Sequence, residues 1–121
     1  MAESTLEILR RLDFHSALAI EAIALERLRQ IEQENWTTQH DDAHGAGELA
    51  VAAGCYAQHA GGVGVLVEGK PPRWWPWDAQ WWKPKTPRAD LIRAGALAVA
   101  EMARRARTAE SNALAKAGGP Q

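Results

Sequence analysis

Between Pro71 and Pro87 the chain carries five of its six prolines, and between Trp74 and Trp82 five of its six tryptophans. Proline fixes φ and has no amide hydrogen to donate, so residues 71, 72, 76, 84 and 87 forbid a long helix here. Indoles bury large apolar areas, so the same stretch is well supplied with anchors. The combination predicts an ordered loop over residues 61–88, around which the flanking segments must be arranged. Gly61, Gly62 and Gly64 open it, and Val63 to Val67 reads as a short strand without an evident partner.

With 121 residues the chain has room for one domain, 1–121, so loop and flanks share one core. Hydrophobic residues at 46% and charged residues at 24% suit a folded protein and not a disordered one. Fourteen basic against fifteen acidic side chains leave a net charge of −1, which gives no electrostatic basis for dedicated DNA binding. Cys55 is the only cysteine, which rules out an internal disulfide and reads as a cytoplasmic chain. Met1-Ala2-Glu3-Ser4 does not open a secretory signal. Leu49 to Val67 lacks Asp, Glu, Lys and Arg, but Gln58, His59 and its alanines and glycines argue for a buried helix and a turn, with no membrane span.

Ser4-Thr5-Leu6-Glu7 reads as a capping box at a helix start. From Leu6 to Ile31 there is no Gly or Pro, and Leu9, Leu12, Ile20, Ile23, Leu25, Leu28 and Ile31 recur at helical spacing among charged residues. A straight helix of that length would span ~45 Å at 1.5 Å per residue. It is expected to bend near Asp13-Phe14-His15-Ser16, with Ser16 capping the second part, or to project residues 1–25 as an oligomerisation segment. A second helix is expected from about Asp42 to His59, where small residues from Gly45 to Gly54 permit close helix packing. The last helix has Thr86 as N-cap, Pro87 in the first turn, Asp90 nearby, Lys116 in the last turn and Gly118-Gly119-Pro120 as its stop. Its expected apolar stripe is Leu91, Ile92, Gly95, Ala96, Val99, Met102 and Ala106, with Glu101 and Arg105 paired on the flank. The expected fold is all-α: three main helices with the Trp/Pro-rich loop between the second and the third.

The densest polar cluster is His40-Asp41-Asp42-Ala43-His44 with Glu48. If the second helix includes His40, then His40, His44 and Glu48 lie one turn apart on one face and offer two imidazoles and a carboxylate to a divalent ion. A zinc-protease His-Glu-x-x-His is absent, because Glu does not follow His40. Facing helices build metal sites from carboxylates, and the last helix supplies Glu101. The candidate metal set is therefore His40, Asp41, Asp42, His44, Glu48 and Glu101, with magnesium or manganese as the ion. The structural alternative has Asp41 or Asp42 as a cap, the histidines bonded across to the last helix, and Glu101 paired with Arg104 or Arg105.

Indole faces stack on nucleobases, and Arg73, Lys83, Lys85 and Arg88 beside them can hold phosphate. Trp36, Trp75, Trp77, Trp82, Lys83 and Arg88 are the candidate contacts for such a ligand. In the alternative reading most of the indoles are core, each N–H bonded to a carbonyl.

Several strings resemble a family of small tailed-phage and prophage proteins: Glu26-Arg27 with Arg29-Gln30; Trp36-Thr37, His40-Asp41-Asp42, His44, Gly47-Glu48-Leu49-Ala50 and Ala52-Ala53; Trp75-Pro76-Trp77 with Trp82-Lys83-Pro84; and Arg88, Asp90-Leu91 and Ala94-Gly95-Ala96-Leu97 with Ala100-Glu101. The likeness covers about residues 26–107 and implies a phage-type protein in the host cytoplasm, with no transferable activity. A looser similarity is to the MazG-like all-α nucleoside triphosphate pyrophosphatases, which hold magnesium on acidic helices. In that group a second acid follows three residues later, where this chain has Val51 after Glu48 and Arg104 after Glu101.

Three functions follow as expectations. The first is binding of a nucleotide-like phosphorylated ligand, with metal-dependent hydrolysis as its catalytic form. The second is a non-catalytic counter-defence protein that sequesters a signalling nucleotide or blocks a host defence protein. The third is a helical homo-oligomer that works through its surface.

Overall fold

A computed structural model describes residues 2–45, 47–63 and 67–118. They form an all-α protein with five helices: α1 (Thr5–Arg10), α2 (Phe14–Glu32), α3 (Thr38–Asp42), α4 (Glu48–Ala60) and α5 (Pro87–Ala117). A single 3₁₀ turn, Ala79–Trp81, lies inside the long connection from α4 to α5. The three long helices make the bundle, with α5 as its spine and α4, α2 and α3 packed against it. No described helix is long and apolar enough to cross a membrane. The middle of the expected strand, residues 64–66, lies outside the described residues, as do Gly119 and Pro120 of the C-terminal stop.

The expected first helix is two helices. Ser4 and Glu7 close the capping box of α1, and the break follows Arg10. Asp13, not Ser16, caps α2: its carboxylate accepts from the Ser16 amide at 3.0 Å and from the Ser16 hydroxyl at 2.6 Å. Asn35, with φ 59°, turns the chain after α2, a conformation that asparagine tolerates better than most residues. The expected second helix is also divided. Thr37 caps the short α3, and α4 starts only at Glu48, after Gly47 in the left-handed region at φ 81°. The last helix runs as expected, with the Thr86 hydroxyl accepting from the Ala89 amide and Pro87 in the first turn.

The core is unusual in its division of labour. α4 contributes Leu49, Ala52, Ala53, Cys55 and Tyr56, while α5 contributes Ala94, Leu97 and Ala100. Alanines let the two backbones approach closely but supply little bulk. The bulk comes from the connection, where Trp75 and Trp82 are buried against this seam. Trp82 stacks on Tyr56 at 4.8 Å between ring centroids, and Trp75 meets both rings edge-on. The expected stripe of α5 holds in part: Ala96 is buried and Gly95 packs against Ile23, but Asp90, Ala94, Leu97, Ala100 and Glu101 are buried as well, whereas Leu91, Val99 and Met102 are exposed.

Buried polar groups are all matched among the described residues. His59 Nδ1 lies 2.6 Å from Asp90 Oδ2, and the Lys85 amide donates to Asp90 Oδ1 at 2.7 Å, which ties the end of α4 and the loop to the start of α5. Cys55 is fully buried, and that burial pushes its thiol above the ordinary range, as suits a small core residue.

Two glycines test this packing in opposite directions. At Gly95 an added Cβ would come within 2.5 Å of Ile23 Cδ1 and 2.8 Å of Cγ1, whereas at Gly54 it would meet nothing within 4 Å. Gly54→Ala should therefore stabilise the protein by about 1 kcal/mol through helix propensity. Gly95→Ala should destabilise it by about 1 kcal/mol, because the clash with Ile23 exceeds the same gain. Chemical denaturation of the two variants checks the contrast, and equal gains would contradict the close contact of α2 with α5.

Candidate functional site

The stretch from Trp36 to His44 and the Trp-rich connection meet around one cavity of about 490 Å3. Trp36, Trp75, Trp77 and Trp81 supply its aromatic walls, and His40 and His44 present imidazoles to it. Arg29, Lys83 and Arg93 bring positive charge, opposed by Glu34 and Asp78. Tyr56 and Leu97 also line it, so it opens directly over the α4–α5 core.

Local structure explains how these groups are aimed. α3 places His40 one turn after Thr37, and the His40 ring stacks on Trp36 at 5.1 Å and 9° between planes. His44 follows in the connection to α4, edge-on to His40 and tilted against Trp77. The two rings join a row of hydrogen-bonding groups. Arg27 bonds the fully buried Asp41 through Oδ2, and Asp41 Oδ1 lies 3.2 Å from His40 Nδ1. His40 Nε2 lies 3.4 Å from His44 Nε2, and His44 Nδ1 lies 3.1 Å from Glu48 Oε2. The Trp77 indole donates to the same Glu48 oxygen at 2.6 Å.

This row has a chemical consequence. Each Nδ1 faces a carboxylate, which assigns the ring proton of a neutral imidazole to that nitrogen and leaves Nε2 an acceptor. With both rings in that tautomer the two Nε2 atoms, 3.4 Å apart, are acceptors with no hydrogen between them, so this link of the row is open and takes a donor, an N–H or O–H group entering from a ligand. Glu48 is kept as a carboxylate: the Trp77 bond first, then the His44 bond, hold its carboxyl below the ordinary value.

The cationic side is equally fixed. Arg29 bonds Glu26 at 2.8 and 2.9 Å and Glu34 at 2.8 Å, and these bonds raise its pKa further. The same Arg29 bond holds the Glu26 carboxyl below the ordinary range. Arg93 donates to the Tyr56 hydroxyl at 3.1 Å and the Lys83 carbonyl at 3.0 Å while lying over the Tyr56 ring. Lys83 itself is exposed at the cavity.

Of the residues singled out by sequence, Trp36, Trp75, Trp77, Lys83, His40 and His44 line this cavity. Trp82 does not; it is 6% exposed and belongs to the core, because its ring is sandwiched by Tyr56, Trp75 and His59. Arg88 lies on another face, beside Ile23 and Leu91 in the groove between α2 and α5. The six candidate metal ligands are not gathered into one cluster, and no group of three metal-binding side chains occurs among the described residues. Arginines explain the dispersal: Asp41 is held by Arg27, Asp42 by Arg107 at 2.8 Å, and Glu101 by Arg104 at 2.7 Å and Arg105 at 2.9 Å. Glu101 is buried, and its carboxyl is held below the ordinary range, chiefly by Arg104. As arranged, arginines occupy the carboxylates of Asp41 and Glu101 and one oxygen of Asp42.

Sequence reading did not find Arg29, Glu34, Tyr56, Asp78, Trp81 or Arg93 as cavity residues. Arg29 and Arg93 are charged positions on two different helices, and only the fold turns them toward one opening. No family model matches the chain, and no curated protein and no solved structure matches it either.

The Glu48 bonds make a pH dependence with a definite sign. A carboxyl whose folded-state pKa is depressed contributes stability that is present above its ordinary value of 4.5 and is lost as pH falls through the lower folded value. Glu48→Gln should be less stable at pH 7 and show a shallower loss of stability below about pH 5. Denaturation across pH, followed by tryptophan emission, checks this; an unchanged acid limb would remove Glu48 from the row.

Proposed function

We propose that the protein binds a nucleotide-like, phosphorylated small molecule in the tryptophan-walled cavity, as a phage-type ligand-binding protein. The observation that carries this reading is the meeting of the imidazole row and the Trp-rich connection at one cavity with cations on its wall. Its volume, about 490 Å3, lies within the range of small-molecule sites. Indole faces at Trp36, Trp77 and Trp81 suit a flat heteroaromatic base. His40 Nε2 and His44 Nε2 suit its amino or hydroxyl edge, and Lys83 and Arg93 suit phosphate oxygens.

Retention of the ligand, rather than its hydrolysis, is the form this reading takes. One observation favours it: Asp41, Asp42 and Glu101, which a magnesium-dependent hydrolase of the expected kind would use, are each engaged by arginine. A binder of this kind in a phage-type protein would act by withdrawing a signalling nucleotide from the host, which is the counter-defence role expected above.

Isothermal titration with ribo- and deoxyribonucleoside mono-, di- and triphosphates, with and without magnesium or manganese, tests the proposal. At least one nucleotide should bind saturably and be recovered intact. Trp81→Ala removes an exposed stacking face and should weaken binding by about 5- to 150-fold. Lys83→Ala should cost about tenfold, with a greater loss for more highly phosphorylated ligands. Absence of binding across the panel would overturn the proposal, and metal-dependent release of phosphate or pyrophosphate would replace retention with hydrolysis.

A further inference from the structure

The open link between the two imidazoles sets a demand on the base that enters the cavity. His40 Nε2 and His44 Nε2 lie 3.4 Å apart while the ring centroids lie 4.7 Å apart, so the two nitrogens lean toward a shared space. Neither ring closes the gap by itself. Moving the His40 proton to Nε2 would set a bare Nδ1 against Asp41 Oδ1, an oxygen of a fully buried carboxylate. The same exchange in His44 would set a bare Nδ1 against Glu48 Oε2. The rings are also held in place: His40 is stacked on Trp36 with 9° between planes, Arg27 fixes the carboxylate behind it, and His44 rests against Glu48 and Trp77. The site therefore presents two positioned acceptors, and each needs its own hydrogen.

Nucleobases differ in what they offer to such a pair. Uracil, thymine and hypoxanthine present one ring N–H on the pairing edge, beside a carbonyl oxygen. Adenine and cytosine present one amino group beside a bare ring nitrogen, so the second Nε2 would meet a lone pair. Guanine alone among the common bases sets two donors side by side, the ring N1–H and the 2-amino group.

Distances separate the bases further. Two nitrogens bonded to one carbon at about 1.33 Å lie about 2.3 Å apart. To reach acceptors 3.4 Å apart, each at about 2.9 Å, their bonds splay by only about 10°, which keeps the N–H···N angles near about 160°. A single amino nitrogen serving both acceptors would bend each bond by about 25°, to angles of about 145° and outside the preferred range.

We propose that the cavity binds a guanine nucleotide, whose N1–H and 2-amino group donate to His40 Nε2 and His44 Nε2. The inference rests on the nucleotide reading above and adds the identity of the base.

Isothermal titration at about pH 8, on the alkaline side of imidazole titration, compares guanosine, inosine and adenosine monophosphates, which carry the same ribose and phosphate. The inosine nucleotide lacks only the 2-amino group, and the adenosine nucleotide has one donor beside an acceptor. Guanosine monophosphate should bind most tightly. Inosine monophosphate should bind about tenfold more weakly, the loss of one hydrogen bond to a part-exposed imidazole, and adenosine monophosphate at least as weakly as that. Of His40→Ala and His44→Ala, the variant that removes the partner of the 2-amino group should bring the guanosine nucleotide down to the inosine one, and the other should weaken both alike. Equal affinities for the guanosine and inosine nucleotides, or a preference for adenosine, would overturn the guanine assignment and leave nucleotide binding standing. A guanosine preference that survives both substitutions would overturn the histidine pair as its source. Binding of pyrimidine nucleotides alone would also overturn the assignment; binding of no nucleotide at all would remove the underlying reading with it.

Discussion

Stacking of Trp82 and Trp75 around Tyr56 is the contact on which the remaining architecture depends. The helices α4 and α5 bring mostly alanine to their seam, so they can sit close together but cannot by themselves fill the space beside it. Two indoles from a proline-stiffened connection fill that space. Prolines reduce the freedom of the unfolded connection, and burial of the two rings contributes several kcal/mol of transfer free energy. Because Trp75 and Trp82 are fixed in the core, Trp77 and Trp81 between them are held at its edge, where they become cavity wall. Core and site are thus made by the same segment.

Charge placement complements this apolar arrangement. Asp41, Asp90 and Glu101 are buried, and each is met by a specific partner: Arg27, His59 with the Lys85 amide, and Arg104 with Arg105. Ion pairs of this kind contribute little net stability compared with apolar packing, but losing one partner strands the other at a large cost. Two of them lie at points where elements must be held in register. Arg27 and Asp41 join α2 to α3, and Asp90 and His59 join α5 to α4. The first also anchors the imidazole row, since Asp41 Oδ1 is the group against which His40 Nδ1 rests.

Helix limits marked by local chemistry were legible in the sequence. The Ser4–Glu7 box and the Thr86-Pro87 start act within one turn and need no tertiary partner. The division of the second helix was less visible, because Gly45 and Gly47 also suit close helix packing; only the positive φ of Gly47 shows that the chain turns there. The α5 face was read correctly at Gly95 and Ala96 and misread elsewhere for a related reason. Large apolar residues ordinarily mark the buried side, but here alanines face the seam and the tryptophans supply the volume, leaving Leu91, Val99 and Met102 outside. Within the site, the aromatic and imidazole residues stand out by composition. Arg29 and Arg93 do not, because a cation on a helix flank is ordinary until the neighbouring element is known. Sequence could not separate Trp82 from Trp81 either: adjacent residues of one loop, one enters the core and the other the cavity wall.

The central claim is that the row from Asp41 to Trp77 and the aromatic walls form one ligand cavity. It is tested most directly by the indole N–H signals in a two-dimensional 15N–1H spectrum recorded during nucleotide titration. Trp36, Trp75, Trp77 and Trp81 line the cavity, whereas Trp74 donates to Gln58 outside it and Trp82 lies in the core. The account expects the signals of Trp36, Trp77 and Trp81 to shift together along one saturation curve while that of Trp74 stays in place. Saturable binding that moves Trp74 and leaves those three unchanged would contradict it.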